Sequence, residues 1–200
     1  MISFFVLVII YFGFSWGLPW HKIPSTISFS YVFDLLFALG VSFFFRLPWK
    51  FKWRVNRAAL IAMGEVFALA SAAIAAIWYM DIETPFRLVQ NLEWHLLIFA
   101  PLLEELVFRQ TFQRVLIGNM GGKRVTSMLV ASIFAFSHLV GLAVLPVEYI
   151  PFIGFQVFYT FVLGVICGQS LLRFHSVLAP ICMHFIFNLT FYLALQLEII

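Results

Sequence analysis

Three short groups of polar residues stand inside long apolar stretches of this sequence: Glu104-Glu105-Leu-Val-Phe-Arg109, Phe134-Ala-Phe-Ser-His138 and His184-Phe-Ile-Phe-Asn188. An ionisable side chain in hydrocarbon is costly, so each one there is a functional candidate by default. Glu105 and Arg109 are four residues apart and share a helix face, the spacing of an ion pair. Glu104 is turned about 100° from Glu105, so Arg109 cannot hold both acids equally. The expected division is a Glu105 neutralised by Arg109 and a Glu104 free to handle protons, because burial suits a carboxylate to general-base work. A Glu–Arg pair that only locks two helices explains Glu105 but leaves Glu104 unpaired. His184 and Asn188 lie on one stripe and are suitable donors to a developing oxyanion. Their plainer reading is an interhelical hydrogen bond, worth about 0.6–2 kcal/mol. Phe134 and His138 also share a face. Alone, a histidine such as His138 in an apolar helix is more often a hydrogen-bonded core residue than a catalyst.

The elements that must carry these groups follow from composition. The 200 residues are 64% hydrophobic and 10% charged, with 26 phenylalanines. A soluble domain averages about 45–50% apolar and about 25% charged residues, so this chain cannot cover a globule with polar surface. Disorder, coiled coil and collagen fail on the same figures. Two cysteines, Cys167 and Cys182, exclude a disulfide scaffold. A membrane-spanning helix needs about 20 apolar residues. Seven stretches qualify: 2–20, 26–46, 58–80, 94–117, 125–145, 147–172 and 175–197. Their apolar runs are continuous rather than alternating, which excludes a β-barrel. The expected fold is a single all-α, polytopic membrane bundle over residues 1–200, with its site inside the bundle. The first stretch has no preceding Lys or Arg and no clean cleavage site, and it reads as a retained span.

Basic residues set the expected orientation. The segment 46–57 holds Arg46, Lys50, Lys52, Arg54 and Arg57, five of the twelve basic residues, and no acid. Arg114, Lys123 and Arg124 flank the loop two spans later, followed after two more by Arg173 and His175. The alternate connections carry Asp81, Glu83, Glu93 and Glu148 against Lys22 and Arg87. The positive-inside rule places the N-terminus inside and the C-terminus outside, with Trp49, Trp53, Trp78 and Trp94 as interfacial anchors. A net charge of +3, placed in juxtamembrane loops, gives no case for nucleic acid.

Depth brings the polar groups together. At about 1.5 Å per residue, Glu104 lies roughly 15 Å below the outer end of its span, and His184 roughly 14 Å from the inner end of its own. Both are near the middle of a hydrocarbon core about 30 Å thick. His138, about 20 Å from the inner end of its span, is somewhat further out. Phe161, Gly164 and Gly168 lie nearly on one face of the sixth span, a small-residue surface for close helix packing. Asp34 and Glu65 are the remaining intramembrane acids; they fit an aqueous path or snorkelling to an interface.

The order Glu-Glu-x-x-x-Arg, Phe-x-x-x-His, Phe-x-x-Gly-x-x-x-Gly, His-x-x-x-Asn over residues 94–195 resembles the CAAX-protease and bacteriocin-processing family of intramembrane endopeptidases. That family includes the type 2 CAAX prenyl endopeptidases. The first three spans carry no part of the resemblance. It implies peptide-bond hydrolysis within the membrane. Glu104 would activate water with help from His138, His184 and Asn188 would stabilise the oxyanion, and Glu105 with Arg109 would organise the site. Gln110 departs from the glycine that many relatives carry after the arginine. The family is often described as metalloproteases, and Glu104, His138 and His184 would be the ligands of a divalent metal such as zinc. The zincin pattern His-Glu-x-x-His is missing, which tilts the reading towards metal-independent catalysis. Ser137 and His138 point about 100° apart on a helix, a poor fit for serine proteolysis. Cys167 and Cys182 read as inert core thiols. The expected partner is a membrane protein or peptide substrate in the cytoplasmic membrane of a bacterium or archaeon. A non-catalytic scaffold retaining the fold is the alternative. A proton-coupled transporter would call for repeats or broken helices that the sequence does not display.

Overall fold

The computed structural model describes residues 2–18, 29–89, 91–120 and 122–200. Seven long helices run through them: α1 Ile2–Gly17, α2 Phe29–Phe44, α3 Arg57–Tyr79, α4 over 92–120, α5 Lys123–Val144, α6 Val147–Phe174 and α7 Leu178–Gln196. No strand occurs among the described residues. α3, α5, α6 and α7 are long and apolar enough to cross a membrane. α1 and α2 are apolar helices of 16 residues each. At about 1.5 Å per residue each covers roughly 24 Å, short of a core about 30 Å thick. The expected outer ends of these two spans, and Lys22, lie outside the described residues. Leucines, isoleucines and phenylalanines such as Ile2, Ile9, Leu36 and Phe43 remain exposed on α1 and α2. With no polar layer over them, these faces are suited to lipid, and the protein is an integral membrane bundle.

Two apolar clusters organise the interior. One joins the small face of α3 (Ala62, Val66, Ala70, Ala73) to the aromatic faces of α6 and α7, including Tyr159, Phe187 and Phe191. The small side chains let the bulky ones fill the space between helices, giving dispersion contacts where lipid supplies no hydrophobic drive. The other gathers Phe4 and Tyr11 of α1, Ala38 and Val41 of α2, Phe108 and Phe112 of α4, and Phe134 of α5. The Tyr11, Phe108 and Phe112 rings meet edge to face. α4, α5 and α7 carry the polar groups.

α5 and α6 share the most extensive helix–helix contact among the described residues. A Cβ on Gly168 would stand 2.2 Å from Ser127 Oγ, and one on Gly164 would stand 3.0 Å from Ala131 Cβ. These two positions need the missing side chain for the approach itself. Gln113 of α4 adds a hydrogen bond from Nε2 to the Gly168 carbonyl at 2.9 Å. Phe161, on the same helix, is half-buried.

Candidate active site

α4 differs from the regular helix expected over 94–117. It is π-helical over His95–Phe99 and again over Leu106–Gln113. Local chemistry accounts for both. Pro101 has no N–H to return to the Leu97 carbonyl one turn back, so the ladder ahead of it must adjust. Within the same stretch, the Leu96 carbonyl accepts a hydrogen bond from Asn188 Nδ2 at 2.8 Å. In the second stretch, the Thr111 hydroxyl donates to the Val107 carbonyl and competes with the backbone for it. All eight residues of Leu106–Gln113 are buried. α4 is therefore the central pillar at this level, with π-helical turns on both sides of Glu104 and Glu105.

The first polar cluster is closed. Glu105 and Arg109 are both fully buried, with Arg109 Nε 3.0 Å from Glu105 Oε2. The contact is off the N–H axis, so charge rather than an aligned hydrogen bond holds it. Arg109 also places its guanidinium over the Phe134 ring, 5.1 Å from the centroid. The other Glu105 oxygen, Oε1, accepts from His184 Nδ1 at 3.0 Å. Arg109, Glu105 and His184 thus form a chain running from α4 to α7.

The second polar group is open. His184 Nε2 faces Glu104 Oε2 at 3.9 Å, and the Glu104 side chain keeps 31% of its surface exposed. His138 stands where α5 tightens from α-helix into a 3-10 turn at His138–Val140. Its Nδ1 lies 3.0 Å from the Phe134 carbonyl. A carboxylate and a carbonyl can only accept, so the Nδ1 of both His184 and His138 carries a proton. Each ring is left with Nε2 for other work. Glu104, His138, His184 and Asn188 line one cavity of about 110 Å³. Glu104 and His138 also line a larger, more open cavity of about 700 Å³, reaching Tyr11 and Asp34.

The six polar residues singled out from sequence therefore gather at one place, although Asn188 spends one amide N–H on Leu96. Among the described residues, no three His, Cys, Asp or Glu side chains group as a metal site, so Glu104, His138 and His184 do not meet that geometry. Asp34 accepts from the Tyr11 hydroxyl at 3.0 Å and lines the open cavity; Glu65 is exposed on the outer face of α3. Gln156 also lines both cavities, and as a neutral side chain it does not stand out by charge. A polar residue in the middle of an apolar span was its available signal. Gln110 is fully buried and donates from Nε2 to the Pro48 carbonyl at 3.2 Å, tying α4 to the segment before α3. Cys167 is buried and Cys182 half-buried, both free thiols.

Residues 92–190 match a family described as type II CAAX prenyl endopeptidase, Rce1-like. That stretch holds all six polar residues and both glycines of the α5–α6 contact. No curated protein and no solved structure matches the chain.

Proposed function

Because the chain belongs to the Rce1-like type II CAAX prenyl endopeptidase family, we propose that it is an intramembrane endopeptidase. Its substrate is a membrane-associated protein or peptide, and a water molecule activated by Glu104 cleaves the peptide bond. The carrying observation is the contrast between the two adjacent acids: Glu105 is enclosed by Arg109 and His184, while Glu104 opens onto the cavity that also holds His138.

In this reading Glu104 takes a proton from water as the oxygen attacks the scissile carbonyl, with His138 Nε2 orienting that water. The carbonyl oxygen becomes an oxyanion. His184, its Nδ1–H held by Glu105, donates from Nε2 in its protonated form, and Asn188 donates its second amide N–H. The C–N bond then breaks, and Glu104 returns the proton to the leaving amine. Arg109 neutralises Glu105 and so fixes the His184 ring without touching the substrate.

The test is cleavage in membranes. Membrane-associated peptides compared by mass spectrometry between cells with the wild-type chain and cells with Glu104→Gln, at matched protein levels, should differ by a set of products present only in the wild type. Products undiminished in the variant would overturn the assignment of Glu104. General-base loss lowers turnover by about 10²–10⁴-fold.

A further inference from the structure

The end of the bundle remote from Trp94 gathers cations that the hydrolytic reading does not use. Lys50, Arg114 and Lys123, with the imidazole of His175 beside them, line a cavity of about 310 Å³ between the segment before α3, the end of α4, the start of α5 and the end of α6. Lys123 is shared with an adjoining cavity of about 540 Å³, to which Arg124 and Arg173 contribute. No acidic side chain lines either cavity. Like charges brought this close repel one another unless an anion joins them.

Two further features separate this cluster from an ordinary basic loop. First, Arg114 is only half-exposed, and its Nε and Nη2 are buried without a hydrogen-bond partner among the described residues. Guanidinium donors left idle away from water are costly, and the planar fork matches phosphate oxygens. Second, the walls are pinned. Gln110 donates to the Pro48 carbonyl, and the Val177 N–H donates to the Lys50 carbonyl at 3.0 Å. The chain segment carrying Lys50 is thereby fixed against α4 on one side and the α6–α7 turn on the other. Leu47, Ile117 and Leu172 supply apolar wall beside the cations.

We propose that these two adjoining cavities together bind the phosphate headgroup of an anionic phospholipid, with Arg114 as the inner contact and Lys123 and Arg173 at the rim. A basic pocket between membrane helices, edged by leucine and isoleucine, suits a headgroup whose acyl chains continue along the protein. The site lies at the opposite end of α4 from its first π-helical stretch and is independent of the hydrolytic reading.

The detergent-solubilised full chain, titrated with phosphatidylglycerol or with phosphatidylcholine of the same acyl chains, gives the test by thermal unfolding and native mass spectrometry. Phosphatidylglycerol should raise the unfolding temperature and remain bound, and phosphatidylcholine should do neither. Arg114→Gln should weaken phosphatidylglycerol binding about tenfold or more. If that variant fails to fold, Lys123→Gln with Arg173→Gln should weaken it similarly, because both side chains are exposed at the rim. Lys52→Gln with Arg54→Gln removes the same charge from exposed positions outside both cavities and should leave binding within about twofold. Equal binding of the two lipids, or equal losses in the rim and control double variants, would overturn the site. Inorganic phosphate giving the same stabilisation as phosphatidylglycerol would overturn the headgroup assignment.

Discussion

Glu104 and Glu105 are joined by one peptide bond and stand in opposite environments. Around Glu105 the protein is closed: an arginine and a histidine contact its two oxygens, and the side chain is fully buried. Around Glu104 it is open, with a single imidazole at 3.9 Å and cavities on its flank. Helical rotation separates the two sides, since adjacent residues on a helix diverge by about 100°. The difference shows how a bundle with little charge can place an enclosed acid and a cavity-facing acid within one turn. One histidine, His184, faces both sides, with Nδ1 on Glu105 and Nε2 towards Glu104.

Breaking the closed side should have the largest effect on folding. Arg109→Met leaves Glu105 buried with only His184 for compensation, and a buried pair broken in this way loses about 3–5 kcal/mol. Unfolding of the purified chain in detergent should report the loss, with turnover falling alongside because the uncompensated Glu105 charge then falls on His184 alone. A smaller loss follows from forcing the α5–α6 contact that frames the site. Gly168→Ala sets a methyl group against Ser127 Oγ, an overpacking cost of about 1–3 kcal/mol. The double variant with Ser127→Ala should recover part of that loss, since it removes the clashing oxygen. The smallest change is expected from Asn188→Leu, which gives up the hydrogen bond to the Leu96 carbonyl. Interhelical bonds of this kind are worth about 0.6–2 kcal/mol, so unfolding should shift slightly while turnover drops much further. A stability loss with turnover preserved would return Asn188 to a packing role.

The Glu105–Arg109 pair was legible because helical spacing dictates it, and the groove at Gly164 and Gly168 because small residues four apart mark close approach. The link from Glu105 to His184 was not, since 79 residues separate them and only the bundle joins α4 to α7. The π-helical turns of α4 were equally hidden. They depend on carbonyls diverted by Thr111 and Asn188 and on the donor missing at Pro101, a combination that a hydrophobic pattern does not record. Asn188 carried a second surprise: its spacing from His184 pointed to the oxyanion, yet one of its amide hydrogens also ties α7 to α4. Asp34 gained a definite place, hydrogen-bonded to Tyr11 on the wall of the open cavity. Gln110, a departure in the sequence motif, is a buried tie from α4 to Pro48.

The central claim is that the two acids divide structure from chemistry. Its most direct measurement sets Glu104→Gln beside Glu105→Gln, reading unfolding temperature and substrate turnover on the same purified preparations. The account predicts that Glu104→Gln keeps the wild-type unfolding temperature or exceeds it while losing turnover by about 10²-fold or more. Glu105→Gln should instead unfold at a clearly lower temperature, because Arg109 loses its counter-charge. Equal destabilisation of the two variants, or full turnover in Glu104→Gln, would contradict it.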